Sequence, residues 1–234
     1  MQIAGFQKTT LLDYPNHVAA TVFLGSCNFR CPFCHNKDLV LHPYNLPGIS
    51  MDYILSYLHK RKNILDGICI TGGEPTLYNA LTDFIKKVRQ LDLKIKLDTN
   101  GYEPDTLIHL CESGLIDYVA MDVKGTMEKY PQICGFADLD IKRIKSSVDF
   151  LINSKQPFEF RTTIIKEFHS EQDFNKIGKW LEGAPAYYLQ RYKDSDQVIA
   201  PGFTPYTKIE MEQFRSLLLN YIPKVELRGT ADGE

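Results

Sequence analysis

The sequence has no apolar run long enough to span a membrane and no long run of basic residues. Its 27 lysines and arginines are outnumbered by 29 aspartates and glutamates, and the formal net charge is −2. Because no basic footprint for a phosphate backbone is indicated, we expect neither a nucleic acid nor a membrane among its partners. The N-terminal segment MQIAGFQKTTLLDYP lacks the apolar region of a signal peptide, so we expect a cytoplasmic protein with reduced thiols.

Short apolar segments alternate with amphipathic ones along the 234 residues. Apolar residues at helical spacing separate the apolar segments, and two capping boxes begin at Ser170 and Thr207. The alternation predicts an α/β fold, a partial (β/α)6 TIM-like barrel of parallel strands with outer helices, formed by a single domain over residues 1–234. The six predicted strands are short apolar runs bounded by turn residues: 17–25, 67–71, 93–101, 117–123, 158–165 and 186–192.

Candidate functional residues follow four of the predicted strands. They are Cys27–Cys34 after the first, Thr71–Pro75 after the second, Asp98–Gly101 at the end of the third, and Asp122 with Lys124 at the end of the fourth. Because reactive groups in parallel α/β sheets gather at the carboxyl ends of the strands, we expect these residues to form one site.

The segment CNFRCPFCHN places three cysteines within eight positions, and it fits several kinds of site. The motif C-x-x-C-H, beginning at Cys31, attaches haem in some proteins, but it would leave Cys27 unused and the absence of a signal peptide disfavours it. Cys31 and Cys34 alone would form a thiol–disulfide pair. Such a pair needs its first thiol at the start of a helix, whereas the following segment contains Pro43 and Pro47.

A zinc site and an iron–sulfur cluster are the other interpretations of this segment. Cys34 and His35 are adjacent, which strains tetrahedral zinc coordination, and the usual second ligand pair is missing. Cys27, Cys31 and Cys34 together would bind three irons of a [4Fe–4S] cluster and leave the fourth iron open. An open iron can bind a substrate or cofactor, as the open position of a catalytic zinc does. We favour the cluster because it uses all three thiols.

Two motifs together resemble the signatures of the radical S-adenosylmethionine (SAM) superfamily. One is Cys27-x-x-x-Cys31-x-Phe33-Cys34, and the other is the TGGEP segment over residues 71–75. Across nearly the whole chain, the segments GFQKTTLLDYP, CNFRCPFCHN, TGGEPT, DTNG, MDVKG and VELRG resemble glycyl-radical-enzyme activating enzymes. Within that family they are most similar to the activators of anaerobic ribonucleoside-triphosphate reductase, and the activators of pyruvate formate-lyase are close in pattern.

The resemblance implies that the chain is a radical SAM domain that binds a [4Fe–4S] cluster and SAM. By this resemblance Cys27, Cys31 and Cys34 are the catalytic residues and the metal ligands. The resemblance also suggests that a monovalent cation is bound between Asp98 and Asp122. The residues implied to contact SAM are Phe33 at the adenine, Gly72, Gly73 and Glu74 at the methionine ammonium, Asp98, Asp122 and Lys124 around the carboxylate and ribose, and Arg161 toward the cofactor.

By the same resemblance the partner is a glycyl radical enzyme, most similar to anaerobic ribonucleotide reductase, and the electron donor is a flavodoxin- or ferredoxin-type protein. Pyruvate formate-lyase or another glycyl radical enzyme is an alternative partner. A radical SAM enzyme that acts on a small molecule, such as a deazapurine synthase, would share the cluster and the barrel but enclose a polar pocket. A cluster-bearing electron carrier or sensor would not need the segment 72–74. Cys69 and Cys111 are predicted core residues, and Cys134 is unassigned.

Overall fold

The computed structural model describes residues 1–230, and these fall into two compact units. The first unit comprises Met1–Asn28 and Asn36–Ala120, and the second comprises Phe29–His35 and the chain from Met121 onward. Residues 231–234, where the predicted single domain ends, lie outside the described residues. A single domain over residues 1–234 therefore stays a prediction.

Eight strands and eight α-helices are present within residues 1–230. The strands are β1 (Ile3–Thr10), β2 (Ala19–Leu24), β3 (Gly67–Gly72), β4 (Lys94–Thr99), β5 (Tyr118–Asp122), β6 (Phe158–Ile164), β7 (Tyr187–Arg191) and β8 (Val225–Arg228). The helices are α1 (Lys37–Leu41), α2 (Met51–Arg61), α3 (Leu81–Arg89), α4 (Pro104–Glu112), α5 (Tyr130–Cys134), α6 (Ile141–Asn153), α7 (Glu171–Trp180) and α8 (Lys208–Leu218). None of these helices has both the length and the apolar character that crossing a bilayer requires.

In the first unit β2, β3 and β4 run parallel in that order, and β1 lies antiparallel to β2. The first four residues of β3 are all buried, as expected of a strand covered on both faces. The strand β1, which is not among the predicted strands, exposes Gln7, Lys8 and Thr9 in succession, as is typical of an edge strand. Because it has no apolar run, the apolar pattern of the sequence does not indicate it. The core of this unit is apolar and includes Val22, Ile54, Leu58, Ile68, Ile70, Phe84, Ile85, Leu97 and Leu107.

In the second unit β6, β7 and β8 run parallel in that order. The N–H of Val123, just after β5, donates to the carbonyl of Arg161 on β6 at 2.8 Å. Helices α7 and α8 meet through the rings of Phe174 and Phe214, whose centroids lie 4.6 Å apart. The core of this unit is rich in large side chains and includes Phe160, Ile164, Phe174, Ile177, Tyr187, Leu189, Met211 and Leu218.

Both predicted capping boxes are confirmed. The side chain of Ser170 accepts a hydrogen bond from the N–H of Asp173 at the start of α7, and that of Thr207 accepts one from the N–H of Glu210 at the start of α8. In each box the acidic side chain accepts from the N–H of the capping residue in return. These reciprocal bonds satisfy backbone donors that have no partner within the helix, and they fix where each helix begins.

The unpredicted helix α5 has only five residues, and it buries Tyr130, Ile133 and Cys134 completely. It ends at Gly135, which has a φ of 59°. A Cβ at Gly135 would lie 2.6 Å from the carbonyl oxygen of Arg30, so this position requires glycine both for its conformation and for the close contact.

Candidate cofactor site

The segment that leads to Cys27 is fixed by the loop after β3, within the first unit. The N–H of Gly73 donates to the carbonyl of Leu24 at 2.8 Å, and the N–H of Glu74 donates to the carbonyl of Ser26 at 2.8 Å. Ser26 has a φ of 63°, so the chain turns sharply just before Cys27. The start of the cysteine motif and the TGGEP motif are therefore in direct backbone contact.

This contact leaves no room for a side chain at Gly72 or Gly73. A Cβ at Gly72, where φ is 123°, would lie 2.2 Å from the carbonyl oxygen of Leu24. A Cβ at Gly73 would lie 1.9 Å from the carbonyl oxygen of Ser26 and 3.3 Å from the backbone nitrogen of Cys27. The close backbone approach expected of these glycines is thus made against the segment that carries Cys27. Their contact with SAM stays a prediction.

Glu74 is fully buried, and both of its carboxylate oxygens accept hydrogen bonds from the protein. Oε1 accepts from the N–H of Thr76 at 3.1 Å and from the hydroxyls of Thr76 and Thr99 at 2.5 Å and 2.7 Å. Oε2 accepts from the N–H of Asn100 at 2.6 Å. Burial raises the pKa of Glu74, and these hydrogen bonds oppose the rise. The side chain therefore ties the loop after β3 to the end of β4.

Asn100, which belongs to the predicted segment Asp98–Gly101, lies beside Cys27. Its Nδ2 donates to Sγ of Cys27 at 3.8 Å and to Oδ1 of Asn28 at 2.8 Å, while its Oδ1 accepts from the N–H of Tyr102 at 2.9 Å. The buried Nδ2 of Asn28 has no hydrogen-bond partner. A buried amide without an acceptor is costly, so this nitrogen fits a position where a bound group supplies one.

Asp98 is at the end of β4, as predicted, and its carboxylate forms an ion pair with Lys96. The Lys96 side chain is 3% exposed and that of Asp98 is 13% exposed. Nζ of Lys96 also lies 3.7 Å from Sγ of Cys69, which is opposite Lys96 on β3. Lys96 is not among the residues predicted from the sequence, and the signal that points to it is a lysine two residues before an aspartate on one predicted strand.

Cys31 and Cys34 lie in one turn in the second unit, where the N–H of Cys34 donates to the carbonyl of Cys31 at 3.0 Å. The turn is held by residues 199–200, whose N–H groups donate to the carbonyls of Cys34 at 3.1 Å and Pro32 at 2.7 Å. Phe33, predicted to lie at the adenine of SAM, is 4% exposed. Its nearest aromatic neighbours are Phe168 and Phe203, at centroid distances of 6.1 Å and 6.4 Å.

Asp122, Lys124 and Arg161 meet in the second unit. Asp122 accepts from Nε of Arg161 at 2.9 Å and from Nζ of Lys124 at 3.1 Å. Backbone groups of Lys124 are also fixed, because its N–H donates to the hydroxyl of Tyr130 at 3.1 Å and its carbonyl lies 2.9 Å from Nε2 of His169. Burial alone would lower the pKa of Lys124, but the charge of Asp122 and nearby thiols raise it. This part of the predicted residue set is brought together.

Cys134 lies beside Cys31, which gives the unassigned cysteine a position next to the cysteine motif. The N–H of Arg30 donates to the carbonyl of Cys134 at 2.7 Å, and both Cys31 and Cys134 are buried. A hydrogen bond with Cys134 lowers the pKa of Cys31, burial opposes this, and the charge of Lys124 lowers the pKa further. No disulfide is present among the six cysteines, all of which lie within residues 1–230.

The donor set fits an iron–sulfur cluster that also binds SAM. Three thiols from one short segment are accompanied by one buried amide nitrogen without an acceptor, on Asn28 next to Cys27, and by a lysine whose charge acts on Cys31. Within residues 1–230, no three His, Cys, Asp or Glu side chains converge on the position of a single metal ion. In a four-iron cluster each thiolate binds a different iron, so the ligands of a cluster do not converge on one metal position. The roles of these residues toward the cluster and SAM stay predictions.

The chain is similar in sequence to known proteins. The sequence profile of the radical SAM superfamily matches residues 21–181. This chain is 31% identical over 198 residues to a Methanocaldococcus jannaschii protein. That protein carries the name of a glycyl-radical enzyme activating enzyme, a function predicted for it. The matched region covers 83% of this chain and 81% of that protein.

Two solved structures have the same fold. The structure of Streptococcus suis SuiB has a TM-score of 0.71 at 14% identity, and the match covers 89% of this chain and 48% of SuiB, so this chain spans about half of that protein. A domain of a pyruvate-formate lyase-activating enzyme from Bacteroides vulgatus has a TM-score of 0.56 at 19% identity, and the match covers 70% of this chain and 99% of that domain. At these identities the likeness concerns the fold, and it confirms the predicted class, a partial (β/α)6 TIM-like barrel with parallel strands.

Proposed function

The chain belongs to the radical SAM superfamily, and on this basis we propose that it is an activating enzyme, which cleaves SAM reductively and generates a glycyl radical on a partner enzyme. Enzymes of this superfamily use a [4Fe–4S] cluster and SAM. The observation that carries the proposal is the backbone contact between the Cys27 segment and the Gly72–Glu74 loop, with an amide donor 3.8 Å from the Cys27 sulfur. This contact joins the two motifs that the chemistry needs.

In the proposed site Cys27, Cys31 and Cys34 would each bind one iron and leave the fourth iron for the amino and carboxylate groups of SAM. When bound, the cluster would supply one electron for the reductive cleavage of SAM, and a glycine Cα of the partner would give up a hydrogen atom. Glycine suits this transfer because no side chain blocks the approach to its Cα.

The remaining residues of the chain would bind and orient SAM. SAM carries a sulfonium, an ammonium and a carboxylate, so its site needs groups of both charges. Lys124 and Arg161 supply positive charge, and their contacts with Asp122 hold them in a fixed arrangement. Glu74 would act by positioning, because its oxygens already accept four hydrogen bonds that tie the glycine loop to the end of β4.

The partner that we propose is anaerobic ribonucleoside-triphosphate reductase, with a flavodoxin- or ferredoxin-type protein as electron donor, in the cytoplasm. A relative named an activating enzyme, matched over most of both chains, supports the class of partner. The choice of ribonucleotide reductase over pyruvate formate-lyase rests on the likeness of the sequence motifs alone. Residues 126–136, which include the buried helix α5 and exposed positions such as Glu128 and Gln132, are the proposed contact with the partner.

The test is anaerobic reconstitution with iron and sulfide, reduction, and measurement of the products of SAM. We expect methionine and 5′-deoxyadenosine in equal amounts, and a glycyl doublet in the electron paramagnetic resonance spectrum when the reductase is added. Cys31→Ser should abolish cleavage. The control Cys111→Ser, on helix α4, should retain it. Cleavage by Cys31→Ser would refute the proposed cluster ligands, and cleavage without a doublet on any glycyl radical enzyme would favour a small-molecule substrate.

A further inference from the structure

Lys96 is a buried lysine in the middle of β4. Its side chain is 3% exposed, and within residues 1–230 no other lysine or arginine is buried to this degree. An isolated ammonium in an apolar interior is costly, so a lysine is buried only where its charge is paired. The partner of this ammonium therefore explains why the lysine is there.

The partner is Asp98, two residues further along the same strand. Alternate residues of a strand point to the same side, so the pairing follows from the geometry of β4. Nζ of Lys96 lies 3.7 Å from Sγ of Cys69 as well, and Cys69 is fully buried on the neighbouring strand. The ammonium is thus held between a carboxylate and a buried sulfur, with little access to solvent.

We propose that the ammonium of Lys96 takes the place of a bound monovalent metal ion at Asp98, so that SAM binding needs no sodium or potassium ion there. A metal ion at the same carboxylate would lie close to the ammonium and be repelled by it. In the second unit Asp122 likewise contacts the cationic side chains of Lys124 and Arg161. The part of this inference that concerns SAM rests on the proposed function, whereas the part that concerns Asp98 does not.

The first experiment uses the protein without cluster or SAM. Lys96→Met removes the charge and keeps the length of the side chain, and Lys94→Met is the matched control on an exposed position of the same strand. Thermal unfolding is measured in sodium, potassium and tetramethylammonium chloride at equal ionic strength. We expect the wild type and Lys94→Met to have the same Tm in all three salts. Lys96→Met should lose roughly 10 °C in the tetramethylammonium salt and recover part of it in sodium or potassium.

The second experiment measures the SAM affinity of the reconstituted protein by calorimetry in the same salts. The wild-type Kd should change by less than about twofold between salts, and that of Lys96→Met should be about tenfold weaker in tetramethylammonium and recover in sodium or potassium. If the wild type does not bind SAM, the proposed function fails, while the unfolding experiment still decides the role of Lys96.

Two results would overturn the inference. One is a wild-type protein that sodium or potassium stabilises selectively, and the other is a Lys96→Met variant that responds equally to all three salts. If Lys96→Met does not fold, the double variant Lys96→Met/Asp98→Asn removes both charges of the pair and restores a foldable site. It should show no selectivity among the salts, and a selective response would count against Asp98 as the site of substitution.

Discussion

Gly73→Ala is the substitution that tests most directly how the two motifs are joined. The added Cβ would lie 1.9 Å from the carbonyl oxygen of Ser26, whereas real contacts of this kind are not shorter than 3.0 Å. Relief requires a displacement of about 1.1 Å at Ser26 or at the loop itself. The loop cannot yield freely, because the N–H groups of residues 73 and 74 are bonded to carbonyls of Leu24 and Ser26 at 2.8 Å each. The displacement therefore falls on Cys27, the next residue along the chain.

We expect Gly73→Ala to destabilise the cluster-free protein by about 1–3 kcal/mol, the usual cost of overpacking. For a chain of this size that corresponds to a Tm lower by roughly 3–10 °C. Because the shift moves a predicted ligand, a reconstituted cluster should be lost to an iron chelator about tenfold or more faster than from the wild type. Thermal unfolding and the loss of cluster absorbance measure the two effects.

Gly48→Ala is the matched control in the same unit. A Cβ at Gly48 would meet only the side chain of Gln2, at 3.7 Å, which is an ordinary contact. This variant should retain both the wild-type Tm and the wild-type rate of cluster loss. A Gly73→Ala protein that matched Gly48→Ala in both measurements would show that the loop is not pressed against the cysteine segment, and the reasoning would be refuted.

Two further substitutions test individual contacts. Asn100→Ala removes the amide that donates to Cys27 and should lower the midpoint potential of the cluster. The expected shift is up to about 40 mV, which corresponds to a hydrogen bond of ~1 kcal/mol in a one-electron couple. An unchanged midpoint potential in a redox titration would contradict this. Burial alone would raise the pKa of Asp173, but hydrogen bonds from Lys129 and Ser170 outweigh it and lower the pKa below its ordinary value of 3.8. Asp173→Asn should therefore lower the free energy of unfolding, measured in urea at pH 7, by about 2 kcal/mol. This difference from the wild type should shrink as the pH falls below 4, because Asp173 then becomes protonated and uncharged in the wild type as well. A difference that stays constant down to pH 3 would disprove the assignment.

The buried strands are the elements that the sequence predicts best. Strands β2 to β7 correspond to the six predicted strands, because each has apolar residues that are buried in the fold. Strand β1 has no apolar run, since an edge strand can satisfy its sheet contacts while exposing polar side chains. Helix α5 escapes prediction for a different reason. Its five residues are too few to show helical periodicity, and its burial depends on distant parts of the chain.

Positions within the candidate site are predictable, but their partners are not. Asp98 and Asp122 end predicted strands, and that placement follows from the alternation of elements alone. Lys94 and Lys96 have the same parity on β4, yet the first is exposed and the second is buried. They differ in their opposite residues on β3, which are Gly67 for Lys94 and Cys69 for Lys96. Opposite residues depend on tertiary packing, so pattern alone does not show which of the two lysines is buried.

The surroundings of the cysteines distinguish thiols suited to bind iron from thiols that only fill space. Burial raises the pKa of Cys111 to about 12, so this thiol keeps its proton and remains inert. Cys31 is more deeply buried than Cys111, but a hydrogen bond with Cys134 and the charge of Lys124 lower its pKa instead. Only the thiolate binds metal, and a site that already favours the thiolate loses less free energy in releasing the proton. Burial alone would lower the pKa of Lys124, but the charge of Asp122 and of the nearby thiols raises it, so Lys124 keeps its positive charge near Cys31.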